Sequence, residues 1–293
     1  MVDEASILDR IRAGYEDLPK SHKKIADFIV TRFQDVIFFS ISEFASALGT
    51  SEAGIFRFAQ YFGFSGYPEL KKELIRYYKE QLDPESKIRS ALGEFSGSQS
   101  LYADMIEQEI SYLRLSEKAV DKATFDCAVD RILAARTVFA YGAGSNESLA
   151  HYLCYRINRF HIRTEKIIAT GKELCERLLR IGVGDFVIIY SFNKTSHEVA
   201  ILLEQLKEKS IPSLLVTNTR VPPVMKNTDL VLAAERGPFG TFQSPLVPMA
   251  ITNALIVGVA ERLGDRAIDS LKEISALRRR YYGDELSGID FPI

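Results

Sequence analysis

Cysteine is scarce in this 293-residue chain, and the three present, Cys127, Cys154 and Cys175, lie far apart and form no CxxC pair. An odd, scattered set excludes a disulfide framework, and reduced, mostly buried thiols are the expectation. Long apolar runs are also missing. None approaches the ~20 residues a membrane helix needs, so no membrane partner is expected. The start, Met1-Val2-Asp3-Glu4-Ala5, lacks the basic residues and apolar stretch of a signal peptide, which points to a cytoplasmic protein. Charge of one sign is lacking too: the net of -2 gives no global indication of a polyanion partner. What remains is the composition of an ordinary soluble globular protein, 46% hydrophobic and 26% charged, in a length that favours two domains over one.

The first domain, residues 1–82, reads as all-helical from residue 20 onward. Ile25, Phe28, Ile29 and Phe33 mark one face of a helix from Lys20 to Phe33. Phe44, Ala45 and Leu48 make a second, short stripe that ends at Gly49. Ser51 then offers an N-cap for a helix from Glu52 to Phe62, with Ile55, Phe58, Ala59 and Phe62 inward. Two short helices around a glycine turn form a helix-turn-helix, whose second helix enters the DNA major groove. Ser51, Glu52, Ala53, Arg57 and Gln60 are left outward. Small residues at the start permit close approach, Arg57 can reach a guanine edge or a phosphate, and Gln60 can pair with adenine. A generic helical bundle with a polar face carries the same pattern. Residues 20–82 hold nine Lys and Arg against seven Asp and Glu, so phosphate contacts must come from local groups such as Lys23, Lys24, Lys71 and Lys72 and from dimerisation.

Residues 83–100 read as a linker: Asp83-Pro84-Glu85-Ser86 interrupts the helical pattern, and Gly93 to Ser100 is rich in glycine and serine. Residues 101–293 form the second domain. Helices fit Leu101–Leu115 and Thr124–Leu133, after which strands and helices alternate as in a parallel α/β sheet. The strands fall at Thr137–Tyr141, Thr164–Ile168, Phe186–Ser191, Ser213–Thr217 and Leu230–Ala233, and the helices at Glu147–Phe160, His197–Lys209 and Pro245–Leu263. Gly142-Ala143-Gly144-Ser145-Asn146 sits between the first strand and its helix, an arrangement that aims free N–H groups and a positive dipole end at an anion. Ser191-Phe192-Asn193-Lys194-Thr195-Ser196 follows the third strand, and Thr217-Asn218-Thr219 the fourth. Such loops also serve simply as caps, but two hydroxyl- and amide-rich loops on one sheet edge favour a pocket. The dinucleotide fingerprint is incomplete because position 147 is Glu, and Gly171-Lys172 follows no P-loop, so no NAD, ATP or other cofactor is expected. Arg278-Arg279-Arg280 reads as a helix C-terminal face complementing the dipole.

Residues 18–74 resemble the N-terminal domain of RpiR/MurR-type regulators. The resemblance runs through Leu18-Pro19, Ile25-Ala26-Asp27-Phe28-Ile29, Ser42-Glu43-Phe44-Ala45, Ser51-Glu52-Ala53, Arg57-Phe58 and Gly63-Phe64-Ser65-Gly66-Tyr67-Pro68-Glu69-Leu70-Lys71. Residues from about Phe125 to Leu263 resemble the SIS (sugar isomerase) domain of those regulators. The resemblance implies an α/β SIS-like parallel sheet with flanking helices behind an all-α helix-turn-helix domain. It implies a bacterial transcription regulator that binds a double-stranded DNA operator and a phosphorylated sugar or other anionic metabolite, as a homodimer or homotetramer. The effector set is Gly142, Gly144, Ser145, Asn146, Ser191, Asn193, Lys194, Thr195, Ser196 and Glu235. Against the SIS pattern, Asn146 and Asn193 stand where serines are usual and Lys194 where a glycine is usual. Asparagine still donates to phosphate and lysine adds a point charge, while losing the glycine removes close backbone approach. The alternative is a SIS-type sugar-phosphate isomerase with an accessory helical domain. Its base would be Glu235, Glu147, His151 or His197. Each has a plainer role: Glu147 and His197 at helix starts, His151 one turn inside a helix, and Glu235-Arg236 as a surface pair.

Overall fold

Ser6 accepts a hydrogen bond from the Asp9 amide and thereby starts helix α1, Ile7–Ala13, whose Ile7, Leu8 and Ile11 are buried. The sequence reading omits this helix, although a serine cap before an apolar stripe is its signature. The computed structural model of the chain describes residues 6–80, 83–192, 196–218, 227–237 and 241–282. Two compact units divide between Gly97 and Ser98.

In the first unit, α2 (Lys20–Val36), α3 (Ile41–Leu48), α4 (Glu52–Tyr61) and α5 (Tyr67–Glu80) enclose one core with α1. Side chains fasten helix ends to one another. Arg10 of α1 donates to the Phe62 carbonyl at the end of α4, where the helix dipole favours a cation. Tyr67 Oη lies 3.0 Å from the carbonyls of both Val36 and Phe39, and Lys71 Nζ donates to Phe39 O at 2.8 Å. The diagnostic Gly-Tyr-Pro turn therefore locks the end of α2. Within the stretch read as linker, Pro84–Glu94 is a helix, α6, with Pro84 in its first turn. Proline at that position costs no hydrogen bond and has its φ preset, so it starts a helix as readily as it stops one.

In the second unit, helices α7 (Leu101–Ala119) and α8 (Lys122–Ala134) precede the sheet. Strands β1 (Val138–Gly142), β2 (Thr164–Ile167), β3 (Phe186–Tyr190), β4 (Ser213–Thr217) and β5 (Leu230–Ala233) are all parallel, in the order β2-β1-β3-β4-β5. Every residue of β1, β3 and β4 is buried, as strands covered on both faces must be. Val138 and Ala140 face α8, α9 (Glu147–Ile157) and α12 (Leu246–Leu263). Phe139 and Tyr141 face α10 (Gly171–Leu178) and α11 (His197–Glu208). Helix α13 (Asp265–Tyr282) follows α12, with Arg279 and Arg280 in its last turn. Contrary to the sequence reading, one apolar stretch does reach membrane length: α12 has 18 residues and a mean hydropathy of 1.5. Its Val247, Ile251, Leu255, Ile256 and Val259 are buried in the sheet core, which explains that composition. The cysteines are all free, but of the three only Cys154 is buried, Cys127 being half-buried and Cys175 exposed.

Candidate functional sites

The helix-turn-helix is built from α3, a turn and α4. Ser40 and Glu43 form a reciprocal capping box at the start of α3, which holds the Glu43 carboxyl below the usual range through the Ser40 amide and hydroxyl. Gly49 ends α3 in the left-handed region at φ 63°, where a side chain would be strained. Ser51 caps α4 by accepting from the Gly54 amide. Ile55, Phe58, Ala59 and Phe62 are buried, while Ser51, Glu52, Ala53, Arg57 and Gln60 are exposed. The structure thus leaves all five sequence-derived DNA residues exposed, Ser51 as the cap and the other four on the helix. Phe56 and Tyr61 are also exposed there. His22 of α2 sits edge-on to Phe58 and Tyr61, with both ring centroids 5.6 Å away. Burial, then the positive charge of Arg57, push its pKa down.

The second site is an edge of the sheet. Strand order reverses direction between β1 and β3, because β2 lies on one side of β1 and β3, β4 and β5 on the other. Gly142 is the register partner of Tyr190, so Ala143–Asn146 and Ser191 leave adjacent strands side by side. The crevice at such a switch point is where open α/β sheets bind ligands. Glycine is required at 142, since a Cβ there would overlap the Asn146 carbonyl and stand 3.2 Å from the Glu147 amide. Gly144 has φ 59°, and Gly144, Ser145 and Asn146 form one tight turn ahead of α9. Asn146 makes no side-chain cap bond. Ser191 is buried, its amide bonded to the Val216 carbonyl.

Not all the expected residues that are described lie at the switch point itself. Ser196 Oγ accepts from the Val199 amide as the cap of α11. Asn193, Lys194 and Thr195 lie outside the described residues. Glu235 follows β5, two strands from β3 and therefore about 10 Å away across the sheet. The isomerase bases have other engagements. Glu147 is paired with Lys166 Nζ at 2.7 Å, and that bond and charge depress its pKa. His151 is exposed and stacks on Tyr155.

Two features went unread in the sequence. Glu198, at the start of α11, has its pKa lowered by its own backbone amide and the Ser196 side chain, with smaller contributions from His197 and the Gly171 backbone. Arg236, read as half of a surface pair, is 93% buried by its 7% exposure. Its Nε donates to Ser244 O at 2.8 Å and Nη2 to Gln243 O at 2.9 Å, while the guanidinium lies 4.4 Å from the Phe192 ring centroid. Burial pulls its pKa down to about 10 despite the attraction of Glu109.

Comparison with known proteins bears on both halves. Residues 5–81 match the helix-turn-helix domain of the rpiR family, and residues 131–258 match the SIS domain. The HTH-type transcriptional regulator HexR of Pseudomonas aeruginosa is 26% identical over 287 residues, spanning 96% of this chain and 99% of its own length. HexR of Escherichia coli K12 is 21% identical over 294 residues, spanning 96% and 97%. Among solved structures, the NanR protein of Vibrio vulnificus complexed with ManNAc-6P has the same fold, with a TM-score of 0.62 over 95% of this chain and 99% of its own, at 21% identity. The sugar isomerase domain of an RpiR transcription factor from Sphaerobacter thermophilus covers 61% of this chain and 99% of its own at 25% identity and a TM-score of 0.57. A helix-turn-helix ahead of the sheet makes this a transcriptional regulator and not an isomerase, in agreement with the relatives that match it end to end. Matched in both its helical unit and its parallel sheet, the chain belongs to the RpiR family of helix-turn-helix transcriptional regulators that carry a SIS domain.

Proposed function

We propose that this regulator senses a small anionic metabolite, a phosphorylated sugar or a derivative of one, at the β1–β3 switch point, and that occupancy changes its affinity for an operator. The observation that carries the reading is the pairing of Gly142 with Tyr190. It sets the Gly142–Asn146 turn and Ser191 side by side beneath the N-termini of α9 and α11, whose dipoles favour negative charge. Asn146 donates to the anion and Lys194 supplies a cation that compensates for the absent glycine of the usual loop. NanR of Vibrio vulnificus, complexed with ManNAc-6P, supports the ligand class. Thermal-shift screening of phosphorylated sugars, sugar acids and amino-sugar derivatives tests it, because a ligand that binds the native state raises the melting temperature. Ser191→Ala and Lys194→Ala weaken the hit without altering DNA binding of the free protein. A hit unaffected by both substitutions removes the pocket from this edge.

On the DNA side, α4 lies in the major groove with Arg57 and Gln60 at base edges or phosphates. The domain is close to neutral, so one module makes few phosphate contacts and two half-sites are needed. The working species is accordingly a homodimer or a dimer of dimers.

A further inference from the structure

Helix α7 presents a polar stripe to the segment that leaves β5. Ser116 Oγ donates to Ala233 O at 3.0 Å. One turn earlier the Tyr112 phenol lies against Gly237, close enough that a Cβ at Gly237 would overlap it. A further turn back is Glu109, which is only 9% exposed and attracts Arg236. Its Oε2 is buried and without a hydrogen-bond partner among the described residues. The spacing 109, 112, 116 is that of one helical face. Arg236 in turn covers Phe192, the residue after Ser191, and holds the carbonyls that lead into α12.

We propose that Arg236 is the positioning residue of Ser191 and Phe192, and that through Glu109 it makes the placement of these two residues and the packing of α7 a single equilibrium. A buried guanidinium cannot give up its partners cheaply, nor can a buried carboxylate be left alone. Two of the guanidinium nitrogens are fixed to main-chain carbonyls, so Arg236 cannot follow Phe192 when that residue moves. A ligand that draws Ser191 and Phe192 out of place therefore breaks the cation–π stack and admits water beside the guanidinium, which weakens its attraction for the buried Glu109. Helix α7 is the first element of the second unit, immediately after the boundary at Gly97 and Ser98. It is the element through which such a change leaves the sheet. The inference rests on Ser191 being a pocket residue.

Hydrogen–deuterium exchange on the full chain tests the coupling without any effector, because exchange reports local opening. In Arg236→Met, peptides over Phe186–Phe192 and Leu101–Ala119 exchange several-fold faster while Glu147–Ile157 is unchanged. Arg236→Lys keeps a charge beside Glu109 but loses the planar stack. It restores α7 and leaves the β3 peptide fast. Adding Glu109→Gln to Arg236→Met also restores α7, by removing the lone buried charge. Equal acceleration in Glu147–Ile157, or an α7 indifferent to Arg236→Met, overturns the proposal. If Arg236→Met does not fold, the Lys variant alone decides, since it must separate the two peptides. Inorganic phosphate added to the wild type addresses the pocket instead. No protection at Ser191 counts against the anion reading and leaves the exchange pattern of the variants as it was.

Discussion

Gly142 and Tyr190 face each other across β1 and β3, the last paired residues before both strands enter the loops at the switch point. The glycine gives the turn room to fold back on itself. The tyrosine beside it is fully buried, and its hydroxyl is 2.9 Å from that of Thr252 on α12. One residue of the pair thus frees space for the turn, and the other fixes the strand that carries Ser191.

Gly142→Ala places a methyl group on the Asn146 carbonyl. Backbone cannot give way as a side chain does, so the variant loses about 1–3 kcal/mol of stability, the usual cost of overpacking. Denaturant titration measures the loss, and stability equal to wild type refutes the close approach.

Arg57→Ala removes a guanidinium from the exposed side of α4. If Arg57 pairs with a guanine, operator affinity falls by about 1–3 kcal/mol, whereas non-specific DNA binding changes little. Titration of specific and scrambled duplexes separates the two. An unchanged operator affinity with the fold intact argues against this docking.

His22 introduces a pH dependence into the DNA-binding unit. Its pKa in the folded protein lies below the ordinary value of about 6.5, owing to burial and then to Arg57. The unfolded chain therefore takes up the proton first, and stability falls as the pH drops below 6.5 toward the lowered value. His22→Asn melts with a flatter profile between pH 7 and pH 5. Parallel profiles for the two proteins dismiss His22 as the cause.

Asp185 acts at lower pH. Burial would raise its pKa, but the Arg136 side chain and the Gly182 and Thr137 backbone outweigh burial and hold it below the usual range. The Arg136 contacts are 3.0 Å to one carboxylate oxygen and 2.7 Å to the other. A depressed carboxylate stabilises the fold above its unfolded pKa of about 4, and that contribution disappears as the pH falls through the folded value. Asp185→Asn is less stable at neutral pH and shows a shallower acid transition, which urea melts from pH 7 to pH 2 would reveal.

Sedimentation equilibrium tests the assembly. A dimer or tetramer at micromolar concentration is expected, because paired half-sites are the route to useful affinity for a module so near neutrality. A monomer that still bound its operator specifically would falsify this.

The local elements were written into the sequence. Ser51, the 55-58-59-62 stripe and Gly49 specify a capped helix after a tight turn, and the same periodicity that buries Phe58 exposes Arg57 and Gln60. The five strands were legible as apolar runs between breakers, and Gly142 and Gly144 marked the turn at the first strand end. Such features depend on residues within a few positions of one another, so periodicity and capping chemistry are sufficient to encode them. Strand order, and with it the pairing of Gly142 with Tyr190, came from contacts between segments nearly fifty residues apart. Pro84 reads equally as a breaker and as the first turn of α6, and only what surrounds it decides between them. Arg236 is the sharpest case. Beside Glu235 in the sequence it resembles a solvated pair. In the fold it is buried because Phe192, the Gln243-Ser244 segment and Glu109 arrive from three other places to replace its water. Whether a charge lies inside or outside is settled by the partners that tertiary structure brings to it, and no local pattern carries that information.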